Sequence, residues 1–147
     1  MNYDHAQLAD MAPVVNNLSG VTRYELHAAG VDQNMLVRLL MDGIERGKAY
    51  AIYQDDIPIA IFWFYPSLFE AETSFIATQA FFDRPMASIR TSQEVLGCVL
   101  ADYPNMSLVA YTVSQHPRLE KWFRLLGFVE LPHNGPAKRF EFIPNWC

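Results

Sequence analysis

Cysteine is scarce in this chain. Cys98 and Cys147 are the only two in 147 residues, and they fit no metal-ligand spacing. A reducing, intracellular setting is the simplest expectation. Long apolar runs are missing too. The longest, residues 57–65, is strand-sized and contains Pro58, far short of the roughly 18 residues a membrane span needs. The start, Met1-Asn2-Tyr3-Asp4-His5, has neither a basic opening nor an apolar core, so no secretory signal peptide is expected. Basic residues are outnumbered: 11 Lys and Arg face 16 Asp and Glu, for a net charge of −5. That balance excludes nucleic-acid binding by bulk charge and leaves only a local basic pocket open. His5, His27 and His133 have no companions at ligand spacing, and no metal site is expected. Repeats and low-complexity tracts are absent.

What is abundant is core material. Hydrophobic residues make up 51% of the chain and aromatics 14%. This is a globular composition, and the length suits one domain over residues 1–147.

Periodicity predicts the elements. Val14, Leu18 and Val21 recur at helical spacing, and the first thirty residues read as helical, with Gly20 against it and Gly30 as a C-terminal cap. Asp32 suits the N-cap of a second helix carrying Met35, Leu36, Leu39, Leu40 and Ile44, ending near Gly47. The period then switches to two. Residues 49–54 and 57–65 predict a hairpin around Asp55-Asp56, and the second strand is apolar on both faces, hence central. Residues 73–82 predict a third strand, broken at Asp83-Arg84-Pro85. Thr91 and Glu94 form a capping box that would open a helix over Val95, Leu96, Val99 and Leu100. A strand follows at 106–113, then a short helix from His116-Pro117 with Leu119, Trp122, Phe123 and Leu126 on one face, closed by Gly127. Residues 128–131 and 139–143 predict a closing hairpin, with Phe140 and Phe142 facing opposite Arg139 and Glu141. The order implies an α+β fold: a mostly antiparallel sheet, one parallel pair joined by a helical crossover, and helices on its faces.

Two stretches resemble the GNAT superfamily of N-acetyltransferases: the hairpin YAIYQDDIPIAIF at residues 50–62, and the ending HPRLEKWFRLLGF at residues 116–128. The stretch YELHAAG at residues 24–30, ahead of that hairpin, is similar to small GNAT-like proteins of tailed phages. The resemblance spans nearly the whole chain. It implies the GNAT sheet with a splayed parallel pair, although the superfamily's first strand looks missing or very short. It also implies acetyl-CoA as the cofactor of an active member.

Carried over residue by residue, the family's machinery is damaged in three places. The pyrophosphate turn Gln/Arg-x-x-Gly-x-Gly/Ala has its best counterpart in residues 84–89, where Arg84 fits but both glycines are gone and Pro85 removes a donor. Arg84, Ala87, Ser88, Arg90 and Thr91 are the candidate cofactor-binding residues, at a helix start expected after Thr91. The tyrosine that usually protonates the leaving thiolate is replaced by Phe123, and Trp122 beside it is no phenol. The predicted third strand holds no carboxylate inside it; Glu72 lies at its start and Glu70 two residues before, where they could reach the cleft mouth, with surface solvation as the plainer role. His116, where relatives often carry Asn, is the candidate catalytic residue, with helix capping as its plainer role.

Two functions from different classes follow. In one, this is a phage-type protein with an eroded acetyl-CoA site that acts by binding virion or host proteins, or by self-association. Phe69 and Trp146 would then be candidate exposed contacts, and the protein would reside in the host cytoplasm or a phage particle. In the other, it is a divergent acetyl-CoA-dependent N-acetyltransferase that works by positioning thioester and amine.

Overall fold

The most apolar stretch of the chain becomes the middle of a sheet. The structure is a computed structural model that describes residues 1–113 and 116–144. Among the described residues the strands are β1 (Asn2–His5), β2 (Ala49–Gln54), β3 (Ile57–Pro66), β4 (Glu70–Ala77), β5 (Ser107–Thr112), β6 (Phe128–Leu131) and β7 (Lys138–Phe142). They lie in the order β1-β2-β3-β4-β5-β7-β6, all neighbours antiparallel except β4 and β5. The helices are α1 (Met11–Val15), α2 (Gly20–Ala28), α3 (Gln33–Glu45), α4 (Gln79–Asp83), α5 (Pro85–Asp102) and α6 (Pro117–Leu126). This is the mixed fold that the order of elements implied.

Strand alternation divides the core in two. From β3, Ile61 and Trp63 pack with Val14 of α1 and Leu36 and Leu40 of α3. Phe62 and Phe64 point the other way, toward Val95, Leu96 and Val99 of α5 and Leu119, Trp122 and Phe123 of α6. A strand covered on both faces must be apolar at every position, as residues 57–65 are. α3 comes close enough to β3 that a Cβ on Gly43 would lie 3.2 Å from Trp63 Cβ. The hairpin before it turns through Asp55 and Asp56, whose positive φ values of 51° and 64° fit the mirror-image turn that matches strand twist. β7 and β6 pair as expected, Phe128 opposite Phe142. Asp32 caps α3, accepting from the Met35 N–H at 2.9 Å.

Three sequence expectations are corrected. The first thirty residues are not all helical: residues 2–5 form β1, the very short first strand, which pairs along β2 at the sheet edge. Its four mostly exposed polar residues give no period-two hydrophobic signal, which is why it reads as part of a helical region. The strand expected over 73–82 stops at Ala77, and residues 79–83 form α4. Phe81 and Phe82 have aromatic strand propensity, yet they pack as a helical pair against Trp122, with ring centroids 5.1 Å from it. Finally, the capping box at Thr91 is not a helix start. α5 begins six residues earlier at Pro85, a residue suited to a first turn, and Thr91 is buried inside it.

Phe123 is buried among the rings of Phe75, Phe128 and Phe140. Phe123→Ala should therefore cost roughly 3–5 kcal/mol in chemical denaturation. An unchanged midpoint would show that the ring does not anchor the core.

Candidate active site

The two parallel strands stay together only briefly. β4 and β5 pair at Glu70–Ser107, Ala71–Leu108 and Glu72–Val109, and nowhere beyond. From Thr73 onward β4 has no strand partner on that side. Its far end is taken over by α2. The Ser19 N–H donates to the Ala77 carbonyl at 2.9 Å, and the Thr22 hydroxyl donates to the same carbonyl at 3.2 Å. Ser19 also caps α2, accepting from the Thr22 N–H, so the helix that closes the gap is held by its own start. α2 straddles the parting: Val21 packs with one core and Leu26 with the other.

A cavity of about 310 Å³ lies at this parting. Trp63, Tyr65 and Leu36 wall it from the α3 side, and Phe75, Leu119 and Phe123 from the α6 side. Because the two groups belong to opposite faces, the cavity passes through the sheet. Strand backbone that has lost its partner, from Thr73 to Phe75, runs along its wall. Such an edge can hydrogen-bond an extended ligand as a strand would.

Polar groups are few and specific. Glu25 of α2 accepts from the Thr112 hydroxyl through Oε1 at 2.6 Å, while its Oε2 is buried with no hydrogen-bond partner. Thr73 Oγ1 is likewise buried, with no hydrogen-bond partner among the described residues. Glu70 is not simply solvated as expected: it accepts from the Tyr111 hydroxyl at 2.8 Å and from Arg139 at 2.9 Å. A carboxylate on β4 is thus tied to β5 and β7, which clasps the strands where they are paired. This bond to Glu70 holds the Tyr111 hydroxyl above its ordinary pKa. Glu72 lines the cavity at its accessible rim. Desolvation, and secondarily the charge of Glu70, push its carboxyl above the usual carboxylate range.

The residues singled out from sequence are dispersed. His116 caps α6, accepting the Arg118 N–H at Nδ1, and meets the Tyr24 ring edge-on at 5.1 Å; it is not among the cavity-lining residues. Arg84, Ala87, Ser88, Arg90 and Thr91 gather on the beginning of α5, next to α4, whose Phe82 lines the cavity. Arg84 and Arg90 are exposed. Ser88 and Thr91 are buried, and the Ser88 hydroxyl donates to the Phe81 carbonyl, so both are committed to packing. Phe123 lines the cavity from the position of the expected tyrosine. Phe69 is exposed beside Leu68, and Trp146 lies outside the described residues. Among the described residues, no group of three or more His, Cys, Asp or Glu could hold a metal, and no helix is long and apolar enough to cross a membrane. Glu25, Tyr65 and Trp63 escaped the sequence reading. Glu25 sits in a weakly patterned helix, and the other two read simply as strand residues.

The raised Glu72 value fixes a sign. Below its unfolded-state pKa the carboxyl is neutral in both states. As pH rises through the folded value, stability is lost relative to a neutral residue. Glu72→Gln should melt above the wild type near pH 7, with the gap closing below about pH 4. Coincident melts at both pH values would mean that the carboxylate is fully hydrated.

No family model matches the sequence, and no curated protein does. Solved structures match along almost the whole chain. The PaiA N-acetyltransferase of Thermoplasma acidophilum, in complex with coenzyme A, is 12% identical with a TM-score of 0.69, over 96% of this chain and 97% of that one. An acetyltransferase of Agrobacterium tumefaciens is 14% identical with a TM-score of 0.72, over 97% and 90%. A ribosomal-protein-alanine N-acetyltransferase of Brucella melitensis is 12% identical with a TM-score of 0.67, over 98% and 100%. None of the three is a phage protein, and the phage likeness gains no support from them. With its parted parallel strands and through-sheet cavity, the chain has the fold of the GNAT acetyltransferases.

Proposed function

We propose that the protein is an acetyl-CoA-dependent N-acyltransferase. The observation that carries this reading is the open cavity at the parting of β4 and β5, walled by both cores and edged by unpaired strand backbone. A fold kept only as a binding scaffold has no need to hold these strands apart.

Acetyl-CoA would supply an acyl group activated as a thioester. Its slender arm suits the gap beside Thr73 to Phe75. The fit at the phosphate end is partial. The α5 start offers the first-turn N–H groups of Met86 and Ala87, whereas Pro85 has none and the Ser88 N–H already bonds the Arg84 carbonyl. Arg84 and Arg90, exposed on that turn, would contribute charge. Ala87 holds a Cβ where relatives have glycine, so the phosphates would sit farther from the backbone and bind less tightly.

Transfer forms a bond between the amine nitrogen and the acyl carbon and breaks the carbon–sulfur bond. Glu72, on the cavity rim with its raised pKa, would accept the proton that the amine gives up. Solvent would supply the proton for the departing sulfur, since Phe123 has none to give. Holding amine and thioester together does most of the work in such a site. His116 is assigned the capping of α6.

A second reading, a fold retained for binding protein partners, draws on the missing glycines, on Phe123, and on Leu68 and Phe69, which are 85% and 80% exposed. Calorimetry with acetyl-CoA separates the two. The enzyme reading expects saturable binding below millimolar concentration, and silence at millimolar ligand would leave the binding reading alone. Arg84→Ala combined with Arg90→Ala should weaken acetyl-CoA roughly tenfold or more, about 1.4 kcal/mol, with the circular dichroism spectrum intact. Undiminished affinity in that double variant would place the phosphates elsewhere.

A further inference from the structure

The cavity carries negative charge and no compensating cation. Glu25 and Glu72 line it, and no Lys, Arg or His does among the described residues. Glu25 is the telling one. Its Oε1 is fixed by the Thr112 hydroxyl, and its Oε2 is buried without a hydrogen bond. A carboxylate oxygen withdrawn from water and left unpaired is costly unless something completes it. Among the described residues no group does so. Most of the remaining wall is apolar or aromatic, with Trp63, Phe75, Phe82 and Phe123 among it, and the neutral hydroxyls of Thr22, Thr73 and Ser74 interrupt it. Aromatic faces favour a neighbouring cation and exclude hydrated, many-charged ligands.

We infer that Glu25 is the specificity-determining residue of the acceptor site, and that the acceptor is a small primary amine with an apolar body. Its ammonium donates to Glu25 Oε2 and its body lies against the aromatic wall. Thr112 sets the carboxylate's orientation, so the open oxygen is presented in one direction. A cavity of about 310 Å³ admits a small molecule more readily than a peptide chain with side chains of its own. Polyamines of three or more ammoniums are disfavoured because Glu72, at the rim, is the one further carboxyl side chain on the lining among the described residues, and any ammonium beyond it would shed water without an acidic partner. The assignment of this amine as an acyl acceptor rests on the enzyme reading above; its binding does not.

Calorimetry without acetyl-CoA, using the full chain, tests the proposal with phenethylamine, its uncharged isostere 2-phenylethanol, the anion 3-phenylpropionate, spermidine, and an alanine-terminated tripeptide. Phenethylamine should bind at least tenfold tighter than each of the others. In Glu25→Gln, whose amide oxygen can still accept from Thr112, phenethylamine affinity should fall at least tenfold while 2-phenylethanol is unaffected. Equal binding of amine and alcohol by the wild type would overturn the inference whether or not the variant folds. Tighter binding of spermidine or the tripeptide would also overturn it, as would undiminished amine binding by a folded Glu25→Gln. An acetyl-transfer assay run alongside keeps the two claims apart. Glu25-dependent amine binding with no transfer would sink the enzyme reading alone, and transfer indifferent to Glu25→Gln would sink this inference alone.

Discussion

β4 and β5 share three residue pairs and then part, and most of what distinguishes this structure follows from that parting. A sheet interior normally satisfies every backbone group by its neighbours, and an unpaired stretch in the middle of one is costly unless other groups serve it. Here the cost is confined. At one end, Glu70 ties β4 to Tyr111 and Arg139. At the other, Ser19 and Thr22 at the start of α2 take over Ala77. Only the stretch between is left open, and the cavity lies there.

The two half-cores explain why the opening persists. Each face of β3 is packed independently, one by α1 and α3 and the other by α4, α5 and α6. Closing the gap would require moving one helical layer past the other through a close-packed interior. α2 cannot simply fall inward, because its first turn is bonded to β4 and its Glu25 to Thr112 of β5. The helix bridges the divide, and so it supplies a buried carboxylate oxygen, Glu25 Oε2, that accepts from no group among the described residues.

The site is conservative in shape and altered in chemistry. Phe123 keeps the bulk of the expected tyrosine while joining the rings of Phe75, Phe128 and Phe140. Trading a hydroxyl for apolar contact gains packing at the cost of a proton donor. At the start of α5, Ser88 and Thr91 are buried in the core, so under the proposed reading a phosphate there would rest on Arg84, Arg90 and two backbone N–H groups. The carboxylates moved the other way. From sequence Glu72 could reach the cleft mouth but read more plainly as solvated, and its partial desolvation in the structure raises its pKa.

By itself the sequence determined the elements whose signal is local. The double-faced apolar run at 57–65, the paired aspartates of the hairpin, the Asp32 cap and the stripe ending at Gly127 all reflect period, turn chemistry or capping within a few residues, and all hold in the structure. Three features were decided by tertiary structure. Phe81 and Phe82 became helical because Trp122 lay beside them. Thr91 lost its cap role because Pro85 began the helix earlier and packing buried the later turn. Glu25 and Glu72, 47 positions apart in the chain, came to line one cavity because α2 was pinned across the parting of two strands. No spacing in the sequence records that meeting. It depends on where β5 leaves β4, and only the packed helices on both faces fix that point.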